Sequence, residues 1–157
     1  MAKYKNLQQE VEMEWAPEAA FQFESMTTLE ASKEEVFKIL EDGEQWTQWF
    51  ENMTAVDWFT SDPKGVGTRR TVSFGQSSME EHFLVWEEGR RMAFRFVSTT
   101  GNIFKALIED YVLEDVPNQQ GKCTFTYKVH ADLSLFPSLC TCLILGPLNK
   151  LFGKAGT

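Results

Sequence analysis

The sequence predicts an α+β fold, an antiparallel sheet with helices segregated from the run of strands. Two observations carry this. Hydrophobic periodicity gives the order strand, two helices, six consecutive strands and a C-terminal helix, whereas a parallel sheet would alternate strands with helices. Between the six strands stand turn residues such as Gly75, Glu88-Gly89 and Gly101-Asn102, which join neighbours as hairpins. At 157 residues, 43% of them hydrophobic and 13% aromatic, the chain has material for one sizeable core, so a single domain over 21–153 is expected.

Each element has its own justification. Over residues 1–20, Val11, Met13 and Trp15 alternate with Glu12 and Glu14, which predicts an extra strand or an extended arm on the surface. Residues 21–31 form a strand with Phe21, Phe23, Ser25, Thr27 and Leu29 on one side. Ser32 is an N-cap with Glu35 as its capping-box partner, opening a helix that buries Val36, Phe37 and Leu40 and ends near Gly43. A short helix over 44–52 carries Trp46, Trp49 and Phe50 on one face, closing the end of the sheet against the first helix. Strands follow over 54–60, 68–74, 79–87, 90–100, 103–116 and 122–132. The last segment, 134–152, is mostly helical but is cut by Pro137 and by Gly146-Pro147. Its uncharged run 133–148 would make only about 24 Å of helix against a hydrocarbon core of roughly 30 Å, so a buried helix is expected and no stable membrane insertion.

Composition excludes several function classes. With 15 Lys+Arg against 23 Asp+Glu, the net charge of −8 makes nucleic acid a poor partner, since phosphate binding needs clustered cations. Cys123, Cys140 and Cys142 are an odd number that makes no disulfide framework, and the charged N-terminus has no apolar signal segment; a cytoplasmic location is expected. Thirteen Phe and five Trp against three Tyr imply either an unusually aromatic core or an enclosed apolar cavity.

Motifs for chemistry are sparse. There is no HExxH and no CxxC, and Cys140 and Cys142 sit about 200° apart around a helix, so neither a metal nor a cofactor is expected. The Gly65-Val-Gly67 stretch lacks the frame and following helix of a phosphate cradle and reads as a turn. Lys128, His130 and Asp132 alternate with Tyr127 and Val129 and read as the solvated side of a strand. Glu81 and His82 are adjacent on a strand, so one of them must face the sheet's interior, where it could act as a general acid or base; they are the weak catalytic candidates. Glu109-Asp110 poses the same alternative. Of Arg69-Arg70 and Arg90-Arg91, one member each points inward or to an edge, where it holds a ligand carboxylate or pairs with a local Glu.

Several stretches together resemble a known superfamily. They are LEASKEEVFKILED at 29–42, Trp46 with Trp49-Phe50, GVGTRR at 65–70, the Glu81 to Trp86 strand and GKCTFTY at 121–127. They are similar to the polyketide cyclase/dehydrase and lipid-transport (START-like, Bet v 1-like) superfamily, over roughly residues 20–152. The resemblance implies a helix-grip fold: a curved antiparallel sheet of about seven strands around a C-terminal helix, with an internal apolar cavity. It implies binding or transport of a small hydrophobic ligand, such as a lipid, a fatty acid or a polyketide-like aromatic. It is also compatible with a cyclase/dehydrase-type enzyme, and with a protein-interaction module like the Hsp90-ATPase-activator branch of the fold. The interrupted C-terminal helix departs from the family pattern, leaving the cavity more open or an apolar segment free to pair with a second subunit as a homodimer. Phe74, Phe94, Phe96, Ile108, Tyr127, Leu139 and Leu143 are the residues expected to line the pocket.

Overall fold

The structure is a computed structural model that describes residues 4–7, 9–50, 52–60, 62–101 and 103–134, the Trp49 side chain apart. The expected C-terminal helix, with Leu139 and Leu143, lies outside the described residues.

Strand β1 (Lys5–Asn6) and a 3-10 turn (Met13–Glu18) precede β2 (Phe21–Leu29), α1 (Lys33–Glu41), α2 (Gly43–Trp49) and strands β3 (Met53–Trp58), β4 (Arg69–Phe74), β5 (Ser77–Glu87), β6 (Arg91–Thr99), β7 (Phe104–Asp115) and β8 (Cys123–Leu133). All eight strands belong to one antiparallel sheet in the order β2-β8-β7-β6-β5-β4-β3, with β1 on β6. Register shifts in β3, β5 and β7 mark bulges, which bend strands and increase their twist. No helix among the described residues is long and apolar enough to cross a membrane.

The helices form where the local signals stand. The Ser32 side chain accepts from the Glu35 amide while the Glu35 carboxylate accepts from the Ser32 amide at 2.9 Å. Val36, Phe37 and Leu40 are buried. Asp42, past the end of α1, is also the N-cap of α2, accepting from the Glu44 amide at 2.9 Å. Gly43 therefore starts a helix instead of ending one. A Cβ there would lie 3.1 Å from the Val56 carbonyl oxygen and 3.2 Å from Trp58 Nε1, so glycine lets α2 approach β3 closely. Trp46 from α2 is 3% exposed and donates from Nε1 to the Leu40 carbonyl at 2.7 Å.

The N-terminal segment contains a short extra strand followed by an arm that ends in a 3-10 turn. Of the alternating Val11, Met13 and Trp15, the last two fall in the 3-10 turn and none in a strand; among the described residues of this segment the strand is the short β1. The Leu7 amide donates to Val97 (2.9 Å) and the Gln9 amide to Lys105 (3.1 Å), so the segment bridges β6 and β7 beyond the point where their mutual register ends, at Arg95 and Ile108. Val11 and Ala16 then bury Ala106 and Ile108 on the sheet's outer face. Arg95, 5% exposed, anchors this segment through Glu10, Glu12 and the Val11 carbonyl. The outer face is thus covered where the sequence suggested solvent, and His130 lies half-buried beneath the segment.

Replacing Trp46 with Ala removes a fully packed indole and should lower stability by about 3–5 kcal/mol in denaturant unfolding. A loss under about 1 kcal/mol would mean α2 is not seated on the sheet.

Candidate functional site

Alternate residues of the central strands point inward, and their rings fill much of the concavity. Phe94 lies 5.0 Å from Phe83 and 5.4 Å from Tyr111, and Tyr111 is 5.3 Å from Tyr127 and 5.6 Å from Phe125. Beside this packed floor is a cavity of about 390 Å³, walled by Trp46, Phe50, Phe74, Phe96, Phe104 and Leu107 among others. Five ionisable residues also face it: Arg70, Glu81, Glu109, Tyr111 and Tyr127.

The register explains why these five meet. Arg70 on β4 pairs across to Glu81 on β5, Glu81 to Phe96, Phe94 to Glu109 on β7, and Tyr111 to Tyr127 on β8. The polar groups thus cross the inner face in a row interrupted by two phenylalanines. Arg70 Nε donates to Glu81 Oε2 at 2.5 Å, with the two side chains 1% and 4% exposed. The guanidinium carbon also lies 5.0–5.1 Å from the ring centres of Trp46, Trp58, Phe83 and Phe94, within cation–π range of each. Burial pushes the Glu81 carboxyl above its ordinary value, while the charge and hydrogen bond of Arg70 work against that rise.

Glu109 is set differently. Its carboxylate accepts from the Tyr111 hydroxyl at 2.6 Å, with the Tyr127 hydroxyl as a second donor. Burial, and then the nearby charge of Glu81, push its pKa up to about 7 despite those hydrogen bonds. The same neighbours act on the tyrosines: burial first, then the Glu109 charge, hold both hydroxyls well above the usual phenol range. The site therefore pairs a carboxyl that titrates near neutrality with two tyrosines that remain protonated donors.

Of the residues expected to line the pocket, Phe74, Phe96 and Tyr127 face the cavity. Phe94 sits fully buried in the floor, parallel to Phe96 at 6.3 Å. Ile108 does not face the cavity: Leu107 and Glu109 take the inward positions on β7, and Ile108 packs outward with Val11, Ala16 and Ala106. Its cross-strand neighbours Arg95 and His130 are outward too. Between the catalytic candidates, Glu81 is the inward member. His82 lies on the outer face between Arg69 and Arg95, and burial followed by those two cations lowers its pKa. Glu109 was one of two alternatives in the sequence; its contact with Tyr111 was missed, though residues two apart on a strand share a face. Among the described residues, no group of three or more His, Cys, Asp or Glu is placed to hold a metal ion.

The model of a family described as polyketide cyclase / dehydrase and lipid transport matches residues 20–155. An uncharacterized protein of Mycobacterium tuberculosis is 31% identical over 134 residues, spanning 85% of this chain and 78% of that protein. A START superfamily protein from Mycobacterium smegmatis superposes with a TM-score of 0.67 at 14% identity, over 85% of this chain and 96% of the other. The Zhui aromatase/cyclase from Streptomyces sp. R1128 gives 0.62 at 13% identity, over 74% and 70%. At such identities the structural likeness establishes the fold, which is the helix-grip fold.

Two outcomes test the polar row. Arg70→Met alone leaves Glu81 buried without its cation and should cost about 3–5 kcal/mol, whereas Arg70→Met with Glu81→Leu should recover most of that; equal losses in both would show that the pair is not what the site depends on. Glu109 has its folded pKa raised from 4.5 to about 7, so its contribution to stability is fully present below 4.5 and is lost as pH rises through about 7. Thermal melts across that window should show the parent falling relative to Glu109→Gln; parallel curves would contradict the assignment.

Proposed function

The chain belongs to the polyketide cyclase/dehydrase and lipid transport family, and we propose that it binds or carries a small, largely apolar molecule inside the sheet. The observation that carries this reading is an aromatic-walled cavity of about 390 Å³ with a short row of polar groups on its floor. That is the usual composition of a small-molecule site, whose volume typically runs from about 300 to 1,000 Å³ and whose few polar groups orient the ligand. Transfer of apolar surface from water supplies the affinity, and the polar row supplies the orientation. In this reading the partner is the small molecule itself, and the carrier works in the cytoplasm.

A second reading is favoured by one observation. Glu109, titrating at about 7 beside the Tyr111 hydroxyl, is suited to both give and take a proton at neutral pH, as a cyclase/dehydrase-type catalyst needs. Turnover of a carbonyl-bearing substrate that disappears in Glu109→Gln would favour the enzyme; binding without turnover favours the carrier.

The parent protein should bind a neutral hydrophobic dye such as Nile red with micromolar affinity, roughly −8 kcal/mol. Met79 faces the cavity from β5, and Met79→Trp should fill it and abolish the fluorescence gain while the melt remains cooperative. No binding by the parent would overturn the carrier reading.

A further inference from the structure

The charges facing the cavity say more about its ligand than its apolar wall does. Among the described lining residues the cation is Arg70, and it is engaged by Glu81 at 2.5 Å. Glu109 is the second carboxyl, and the partners it has there are the hydroxyls of Tyr111 and Tyr127. When all three groups are ionised, one cation and two carboxyls leave one negative charge without its counterpart. Two hydroxyl donors occupy about half of a carboxylate's four lone-pair positions, so Glu109 keeps acceptor capacity beside the cavity.

We propose that the cavity is built for an apolar molecule ending in a protonated amine, and that Glu109 receives the amine. This rests on the carrier reading and narrows it to a ligand class. An ammonium group supplies the missing positive charge, donates to the unused carboxylate positions, and faces rings whose quadrupoles attract cations. Arg70, ringed by four aromatic side chains, shows that this interior already holds one cation in that way. A fatty acid is the poorer fit, because its carboxylate would meet the charges of Glu81 and Glu109; Arg70 Nη1 has no hydrogen-bond partner and could donate to it, but the single positive charge there is already balanced by Glu81. A neutral alcohol can bond Glu109 but leaves the charge unbalanced.

The groups facing Glu109 set the pH dependence. Burial and Glu81 on β5 raise its pKa, and Tyr111 on β7, Tyr127 on β8 and Arg70 on β4 oppose them, with a balance at about 7. A bound cation favours the ionised carboxylate, so amine affinity should fall as pH drops below about 7.

The test is displacement of Nile red by decylamine, decanol and decanoate below their micellar concentrations, at a pH above the Glu109 value of about 7. Decylamine should displace the dye at a concentration about ten-fold below decanol, a gap of the size a charge-assisted hydrogen bond provides, with decanoate weaker than both. In Glu109→Gln, its folding checked by melt, decylamine should fall to within about two-fold of decanol. Decanoate binding tightest, no preference among the three, or an amine preference that survives Glu109→Gln would each overturn the inference while the carrier reading stands. Failure of the parent to bind Nile red or any of the three would overturn both.

Discussion

A β-strand sends alternate side chains to opposite sides, and in this molecule both sides are buried across the middle of β6 and β7. The rest of the structure follows from satisfying two interiors with one backbone. On β6, Phe94 and Phe96 go to the concave side and Arg95, between them, goes to the other. On β7, Glu109 faces inward and Ile108 and Asp110 outward. A single-residue slip of either strand would bury an arginine among phenylalanines on one side and strip the arm of its anchor on the other. That double penalty holds the register, and with it the positions of the polar row.

The two buried arginines solve the same problem by different means. Arg70 is enclosed by a carboxylate and four rings, so its charge is balanced by Glu81 and its faces are covered by aromatic side chains, while Nη1 is left without a hydrogen-bond partner. Arg95 relies on Glu10 and Glu12, whose side chains are 80% and 62% exposed. Pairs so open to solvent contribute little individually, and what they contribute is the position of the arm. One arginine lines the cavity; the other fastens a cover.

Much of this was legible in the residues. Ser32 with Glu35 announced α1, the alternation on 122–132 placed Tyr127 inward, and the succession of strands along the chain followed from periodicity and turn residues. What was not legible depended on partners distant in sequence. His82 and Glu81 are adjacent, and only pairing with Arg70 and Phe96 decides which one faces the aromatic interior. Ile108 has the composition of a pocket residue, and only the outward-facing Arg95 and His130 beside it reveal its side. The apolar run Phe83-Leu84 carried a hint: a strand apolar on both faces needs cover on both, and residues 11–16 supply it at Leu84.

The arm that joins β6 to β7 also constrains the order in which the chain can assemble. Lys5 pairs with Thr99 and Gln9 bonds Lys105, so these contacts span nearly the whole distance from the start of the chain to its sixth and seventh strands. Contacts of such sequence separation carry a large loop-closure entropy and have nothing to close upon until β6 and β7 are themselves in place. Residues 5–7 and 9 therefore cannot make these contacts before β6 and β7 are in place. Until they do, the backbone groups of Val97 and Lys105 and the charge of Arg95 lack their native partners, and the half-made sheet presents an open seam to any other extended strand.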